Sequence, residues 1–406
     1  MRYVAPVLVH QAYRYELSPN NETRSRFASH CGAARFAYNW GLALAKEQLA
    51  ARERVRSACY QELLSDEEVK ILAGNVEVLW TMYDLRREWN RQKHTVAPWW
   101  AENSKFAYEA GLTALGVALT NFSKSKNGTR AGRKTGFPRP KRRASRQSCR
   151  FSAGGGLAVV DERHVRLSRI GIIRSKEKTS TLLSRLDAST ARILNATLTN
   201  EAGRWFVSFC CEVERNDDTA RLPDAVVGVD LGVLHLAALS TGEFVENPKA
   251  LNRYQHKVAR LQRELARRQR GSKRRVQTKT KLSRCHRQVR CLRKDALHQL
   301  TIRLATSYAT VVIEDLNVTG MTAAPTPRPD PDRPGAYLQN GRSAKAGLYR
   351  ALLDVAPGEF RRQLTYKLAW RGGTLIVADR WYPSSKTCAS CGTVKATLSA
   401  DAYLQL

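Results

Sequence analysis

The chain has 406 residues, 43% of them hydrophobic, which is enough to bury cores that a chain of this length usually divides among two or three domains. Its 68 Lys and Arg against 36 Asp and Glu give a formal net charge of +32, so we expect a polyanionic partner, with nucleic acid as the leading candidate. The composition excludes a peptide or a linker. No apolar run approaches the ~20 residues of a membrane span and no secretory signal is evident, so we expect a cytoplasmic protein without a membrane partner.

The first part of the chain predicts a strand that leads into helices. Residues 7–17 alternate between apolar and polar side chains, and Asn20 follows as a candidate helix N-cap. Apolar residues then recur at helical spacing over 21–56 and 62–122, which indicates a helical subdomain. Four aromatic side chains of this region are predicted to pack in a core rather than to stack on a base: Tyr38, Trp40, Trp99 and Trp100.

A basic loop separates these helices from a group of predicted strands. Residues 124–150 hold eleven Lys or Arg and no acid, with Gly and Pro that interrupt any helix. Strand-like runs follow at 156–160, 164–167, 191–198 and 205–213. We therefore predict an N-terminal lobe over 1–222, in which a β unit of about 1–20 and 124–222 carries a helical insertion at about 21–123. The loop is either a solvated linker or a nucleic-acid contact, and the candidate contacts are Arg139, Lys141, Arg142 and Arg143.

The second domain, residues 223–380, predicts an α/β fold. Its sequence indicates three short strands, a long basic helical region, a buried strand, a helix and a last strand, at 226–231, 234–240, 243–246, 249–307, 310–314, 343–371 and 374–378. Consecutive strands at the start and an alternation of helix and strand afterwards predict a sheet that begins antiparallel and continues parallel.

The helical region 249–307 is the densest basic segment. Between positions 253 and 294 there are 17 Lys or Arg and one acid, Glu264, and Gly271 with Ser272 predicts a turn between two helices. The hairpin is either solvated or a phosphate-binding element, and its candidate tip consists of Arg267, Arg268, Arg270, Lys273, Arg274 and Arg275. His286 and His298 are predicted to be phosphate contacts or surface residues rather than metal ligands.

Three acids stand at or near the ends of predicted buried strands. Asp230 interrupts the apolar run VVGVDLGVLHLAALS, and the run TVVIEDLNV reaches Glu314 and Asp315. Adjacent strand residues face opposite ways, so only one of Glu314 and Asp315 can share the face of Asp230, and the other is expected to cap a helix or contact backbone. Two carboxylates on neighbouring strand ends can hold Mg²⁺ for phosphodiester hydrolysis. The alternative for either acid alone is an N-cap or a solvated strand end.

The order of motifs along nearly the whole chain resembles the TnpB (OrfB) family of transposon-encoded proteins, relatives of the type V CRISPR effectors. The motifs are QAYRYELSP, CGAARFAYNW, GFPRPKRR, GVDLG, the basic hairpin, VVIEDL, GEFRRQLTYK, ADRWYPSSKTCASCG and VKATLS. The resemblance implies an RNA-guided DNA endonuclease with a guide RNA and a target DNA as partners. It also implies that Asp230 and Glu314 are the first two RuvC acids and Mg²⁺ ligands, and that Cys388 and Cys391 are half of a zinc ribbon.

Two parts of that family pattern do not occur in this sequence. After Cys391 there are fifteen residues without Cys or His, and no third acid in a DRDxNAA-like segment. Two thiolates do not close a tetrahedral zinc site, so we expect an incomplete ribbon at 381–406, doubtful Zn²⁺ binding and a weak Mg²⁺ site. We therefore expect impaired cleavage. The alternatives are a nuclease-dead, repressor-like protein that still binds guide RNA and DNA, or a plain nucleic-acid-binding protein.

The expected fold class is therefore α+β and multidomain. An N-terminal β and helical nucleic-acid-binding lobe precedes a RuvC or RNase H-like α/β domain with an incomplete zinc ribbon. Such a protein would be associated with the nucleoid within the cytoplasm. A transposase that itself joins DNA is disfavoured, because the sequence shows no Tyr nucleophile with a paired His motif.

Overall fold

The computed structural model describes residues 7–143, 147–154, 156–215 and 222–380. The chain divides into two compact units, Leu8–Arg215 and Asn216–Leu406, and the second also takes in Met1–Val7. We call them the N-terminal unit and the C-terminal unit. Each has a hydrophobic core of its own, so each is described separately.

The N-terminal unit begins with the predicted strand and helices. Strand β1 (Val7–Leu17) is followed by α1, α2, α3, a 3₁₀ turn and α4, at Asn21–Gln61, Asp66–Gly74, Met82–Val96, Pro98–Glu102 and Lys105–Lys126. The predicted cap is confirmed, since the Asn20 side chain accepts a hydrogen bond of 2.8 Å from the Thr23 amide. Helical spacing over 62–122 is confirmed as well, although it divides into separate helices.

Strands from both ends of this unit form one four-stranded sheet, in which the β2–β6 and β6–β7 pairs are antiparallel. The order is β1, β7 (Arg204–Arg215), β6 (Ala191–Glu201) and β2 (Ser148–Ser152), so β1 and β2 are the edges. A smaller sheet contains β3, β4 and β5, at Ala158–Val159, His164–Leu167 and Gly171–Arg174, and α5 follows at Ser180–Asp187. The sequence predicted these elements except β2, β5 and α5, and β2 begins within the run that was predicted as a basic loop.

Helices α1 and α4 cross at unusually close range. A Cβ atom placed on Gly111 of α4 would lie 2.1 Å from the Ala34 carbonyl oxygen of α1, so only glycine fits at this crossing. The aromatic core beside the crossing includes Tyr108, Trp89 and Phe27. The sheet contributes Phe151 and Phe209 to the same core, which fixes the helices against the strands.

The C-terminal unit is built on a mixed sheet of five strands. Its order is β10 (Phe244–Glu246), β9 (His235–Leu239), β8 (Leu222–Asp230), β11 (Tyr308–Glu314) and β12 (Thr374–Ala378). The pairs β10–β9 and β9–β8 are antiparallel, and β8–β11 and β11–β12 are parallel. The predicted change from antiparallel to parallel pairing is confirmed.

Five helices accompany this sheet. They are α6, α7, α8, α9 and α10, at Ala250–Arg267, Lys273–Ser307, Val318–Met321, Arg342–Val355 and Pro357–Ala369. The prediction of one helix over 343–371 is wrong, because Ala356 adopts a left-handed conformation with a φ of 56° and Pro357 begins a new helix. The predicted turn of the hairpin is confirmed, since Gly271 has a φ of 87° and the Ser272 hydroxyl accepts from the Arg275 amide.

Helices α7 and α10 close the core of the C-terminal unit. Leu297, Leu300 and Leu304 of α7 meet Phe360 and Leu364 of α10, and all five are buried. Burial of this apolar area holds α10 next to the ends of β8 and β11. Among the described residues, no helix has the length and apolar character that crossing a membrane requires.

Candidate functional site

Two carboxylates meet at the carboxyl edge of the C-terminal sheet. Asp230 ends β8 and Glu314 ends the parallel neighbour β11, and the register pairs Val229 with Ile313 one residue earlier. Burial raises the pKa of Glu314, and the negative charge of Asp230 raises it further. The two carboxylates are therefore close enough to repel each other, as the sequence predicted for residues that share one face.

Asp315 turns away from this pair. Its Oδ1 accepts from Arg361 of α10 at 3.0 Å and its Oδ2 accepts from Arg380 at 2.9 Å. The sequence predicted a helix cap or a backbone contact for this acid, and the structure shows two ion pairs instead. Arg361 and Arg380 were not identified from the sequence. They connect α10, the residues after β12 and the end of β11, so they brace the strand end that carries Glu314.

The donor set fits a divalent cation, but only in part. Two carboxylate oxygens at one edge are what Mg²⁺ prefers, and a cation between them would offset their repulsion. A cavity of about 110 Å³ opens beside Glu314, with Gly358 and Arg361 in its lining. In the described residues there is no group of three or more His, Cys, Asp or Glu that could hold a metal ion. The predicted zinc half-site, Cys388 and Cys391, lies outside the described residues.

The tip of the α6–α7 hairpin divides its basic residues between two roles. The Arg275 guanidinium donates to the Leu265 and Arg268 carbonyls, where α6 ends. Arg268 pairs with Glu264 and donates to the Arg274 carbonyl, so it too holds the turn. The other four predicted residues are exposed and have no side-chain partner among the described residues: Arg267, Arg270, Lys273 and Arg274.

His298 differs from its prediction as a surface or phosphate-contacting residue. Burial lowers its pKa to about 4, and the Lys367 ammonium adds to that shift, so the imidazole is neutral at pH 7. Lys367 is 4% exposed and donates to the His298 carbonyl at 3.0 Å and to the Thr301 hydroxyl at 2.6 Å. These contacts join α10 to α7 and stabilise the fold rather than bind a ligand.

The second predicted basic patch lies in the N-terminal unit. Arg139, Arg142 and Arg143 are exposed, whereas Lys141 is half-buried with its ammonium 4.0 Å from the centre of the Tyr38 ring. Tyr38 is buried, as predicted, but one face of its ring receives a cation. Asn39 holds the Lys141 backbone through two hydrogen bonds, of 2.8 and 3.0 Å, so this end of the basic loop is fixed.

Comparisons with known proteins identify relatives over nearly the whole chain. Residues 208–324 match the OrfB family described as "Probable transposase", residues 9–54 match its helix-turn-helix domain, and 358–403 match the "Cas12f1-like, TNB domain". A Mycobacterium tuberculosis protein named "Putative RNA-guided DNA endonuclease" is 33% identical over 400 residues, 95% of this chain and 80% of that protein.

Two further proteins give the same result. A Streptomyces pristinaespiralis protein with that name is 32% identical and covers 96% of this chain and 82% of its own length. The Escherichia coli protein InsQ, with that name too, is 29% identical and covers 94% and 83%. A solved Cas12f1-sgRNA-target DNA complex aligns with 98% of this chain and 94% of its own at 11% identity and a TM-score of 0.49, a likeness too distant to support an argument.

Proposed function

The chain belongs to the TnpB (OrfB) family of transposon-encoded proteins, and on that basis we propose that it is an RNA-guided DNA endonuclease with a RuvC-like site. The observation that carries the proposal is the pair Asp230 and Glu314 at the ends of neighbouring parallel strands. Burial, and after it the negative charge of Asp230, raises the pKa of Glu314, and a cation bound between the two carboxylates would offset their repulsion where a phosphodiester would be cut.

Asp230 and Glu314 are the residues that would hold Mg²⁺. When bound, such an ion supplies an activated water and stabilises the leaving oxygen of a phosphodiester. The chain's own residues keep the two carboxylates in place. The core contacts of Ile313 and Val229 fix the strand ends, and the ion pairs of Asp315 with Arg361 and Arg380 brace the edge on its other side.

A guide RNA and a target DNA are the proposed partners. Three relatives carry RNA-guided DNA endonuclease in their names, and the net charge of +32 suits two polyanions. The exposed part of the hairpin tip, Arg267, Arg270, Lys273 and Arg274, is the proposed phosphate-binding element of the C-terminal unit. In such systems base pairing between guide and target supplies most of the sequence specificity.

A single reaction tests this proposal. The chain is purified with the RNA that accompanies it, the RNA is sequenced, and a DNA duplex with a matching segment is added with Mg²⁺. Cleavage and gel shift are scored in the same sample. We expect RNA-dependent binding and slow Mg²⁺-dependent cutting, since two carboxylates alone hold the ion weakly. Asp230→Asn should abolish that cutting, because it removes a metal-binding charge without changing the side-chain shape.

The matched control is Asp295→Asn, an exposed acid of α7 whose carboxylate accepts only from Gln299 among the described contacts. It should cut like the unchanged chain. Binding without cutting would favour the alternative of a nuclease-dead RNA- and DNA-binding protein. Binding that ignores the RNA sequence, with no effect of Mg²⁺, would leave a plain nucleic-acid-binding protein and refute the proposal.

A further inference from the structure

A cavity of about 360 Å³ in the N-terminal unit is lined, among the described residues, by four cationic side chains and by no acid. Arg35 comes from α1, Lys141 and Arg142 from the basic loop, and Arg150 from β2. Helix α1 is distant in sequence from the stretch that runs from the basic loop into β2, and the two bring like charges to one concave surface. We call it the cationic cavity.

Two of these cationic side chains have no hydrogen-bond or ion-pair partner among the described residues. Within the described residues neither Arg35 nor Arg150 forms a hydrogen bond or an ion pair through its side chain. Other arginines of α1 and of the strand beside β2 form ion pairs with acids. Arg26 of α1 pairs with Glu22 at 2.7 Å, and Arg192 of the adjacent β6 pairs with Glu212 at 3.0 Å. The cationic cavity therefore retains positive charge that the fold neutralises elsewhere in the unit.

Lys141 lines this cavity, and burial there removes part of the hydration of its ammonium group. Burial lowers the pKa of its ammonium, and no acid among the lining residues compensates. The Tyr38 ring offers a cation–π contact and Asn39 fixes the backbone. The half-buried ammonium of Lys141 contacts the face of an aromatic ring, and an anion beside it would stabilise its charge.

The remaining lining of the cavity, which we call its floor, is uncharged and mostly apolar. Ala34, Ala110, Gly111 and Ala114 contribute it together with the thiols of Cys31 and Cys149. Burial raises the pKa of the Cys31 thiol to about 12, so this thiol is neutral at pH 7. The close crossing at Gly111 keeps the two helices at this separation, because a larger residue there would collide with α1. A mostly apolar floor beside four cationic side chains matches an amphipathic ligand.

We propose that the cationic cavity binds one nucleotide of a bound nucleic-acid strand, with the phosphate on Arg35 and Arg150 and the sugar or base on the apolar floor. The inference rests on the proposed function, since it takes nucleic acid as the partner. Planar guanidinium groups bind phosphate oxygens through paired hydrogen bonds, which suits two arginines that line one cavity and have no side-chain partner among the described residues. The volume is in the range of small-ligand sites.

The first measurement is arginine modification by phenylglyoxal, read by mass spectrometry on the whole chain freed of RNA. A short labelled RNA, the same sequence as single-stranded DNA, and the DNA duplex are added in separate arms. Arg35 and Arg150 should become protected in at least one arm. Arg54, an exposed arginine of the same helix α1 without a partner among the described residues, should stay reactive. The protecting arm identifies whether RNA or DNA supplies the nucleotide.

The second measurement is affinity by fluorescence anisotropy across a salt series. Arg35→Gln/Arg150→Gln should weaken binding of the protecting strand about tenfold or more, because each charge-assisted hydrogen bond contributes more than a neutral one. The salt slope should fall by about one per lost phosphate contact. The matched control Arg54→Gln/Arg174→Gln removes the same charge from exposed positions outside the cavity and should have a smaller effect.

The outcomes separate this inference from the proposed function. Tight nucleic-acid binding with Arg35 and Arg150 as reactive as Arg54 refutes the cavity alone. Equal losses in the two double variants also refute it, because they would reflect net charge only. A chain that binds none of the three nucleic acids refutes both. Circular dichroism of each variant confirms that it has folded before the comparison is made.

Discussion

The carboxylate edge of the C-terminal unit and the cationic cavity of the N-terminal unit are opposite in charge but alike in construction. Each brings side chains of like charge close together. Beside them, each also has a residue of the same charge whose side chain contacts a partner within the protein. Glu314 is repelled by Asp230 while Asp315, next in sequence, is held by two arginines. In the part of the chain that the structure describes, the Arg35 side chain has no partner, while the Lys141 ammonium lies over the Tyr38 ring.

The charged residues at each site therefore have two roles: some are available to bind a ligand, and others stabilise the fold. A ligand-binding charge stays without a partner, and the cost of leaving it so is offset when the ligand arrives. A structural charge is satisfied before any ligand is present. Substitutions of neighbouring residues with the same charge should therefore differ in their effects on ligand binding and on stability.

The largest expected effect is on cleavage, at Glu314. Glu314→Gln should lower the cleavage rate by about a thousandfold or more, since loss of a metal ligand removes several kcal/mol of transition-state stabilisation. The same change should raise the melting temperature slightly, by an amount equivalent to about 0.5 kcal/mol, because it removes the repulsion with Asp230. Single-turnover cleavage and thermal denaturation measure the two effects. Retained cleavage together with a lowered melting temperature would show that Glu314 is a structural acid.

The second expected effect concerns stability at alkaline pH, which should change in opposite directions in the two units. In the N-terminal unit burial raises the pKa of Cys31 to about 12 and that of Cys149 well above its ordinary value of 9.0. Groups with a raised folded pKa stabilise the fold below the ordinary value, and that stability is lost as pH rises above it. By pH 10 this unit should lose about 2 kcal/mol.

The C-terminal unit should change in the opposite direction over the same range. Burial, assisted by Arg371 and Arg362, lowers the pKa of Lys367 from 10.5 to about 8. A lowered folded pKa gives stability that grows as pH rises from about 8 towards 10.5, here by about 1–2 kcal/mol. Hydrogen exchange read separately over each unit at pH 8 and pH 10 measures the divergence. Lys367→Met should flatten the response of the C-terminal unit, and a parallel decline of both units would contradict the assignment.

Most of the fold followed from local pattern. Strand bounds at His164–Leu167 and Thr374–Ala378 agree with the sequence prediction to the residue, because alternation and flanking turns mark them. The misses are short or interrupted elements. β2 has five residues and begins inside the basic run that predicted a loop. β5 has four residues, and α5 buries only Leu182, so neither has a clear period. The break at Ala356 was signalled by Pro357, but the helical spacing on both sides outweighed that signal in the prediction.

The candidate sites differ in how much the sequence could reveal. Asp230 and Glu314 follow apolar strands, so their pairing could be predicted from strand order. The partners of Asp315 could not, since Arg361 and Arg380 are 46 and 65 residues away along the chain. The same limit applies to the cationic cavity, because Arg35 lies in a helix and Arg150 in a strand with no local signal that they converge.

A smaller effect is expected at Asp315, the structural partner of the carboxylate edge. Asp315→Asn should reduce stability by about 1 kcal/mol, because two exposed ion pairs of modest strength are lost. It should reduce cleavage far less than Glu314→Gln. The matched control is Glu243→Gln, which releases a single arginine, Arg303, from an exposed pair of 2.6 Å in the same unit. A loss of cleavage as deep as that of Glu314→Gln would place Asp315 among the metal-binding acids.

The smallest expected effect separates two adjacent arginines at the hairpin tip. Arg275 donates to the last carbonyls of α6, so Arg275→Gln should lower stability by about 0.5 kcal/mol and leave the salt dependence of nucleic-acid binding nearly unchanged. Arg274 has an exposed side chain without a partner among the described residues, so Arg274→Gln should leave stability unchanged and reduce the salt slope by about one. Melting curves and anisotropy titrations measure both. If the two variants behaved alike, the tip would act only through its total charge, and the division between structural and ligand-binding residues would not extend to it.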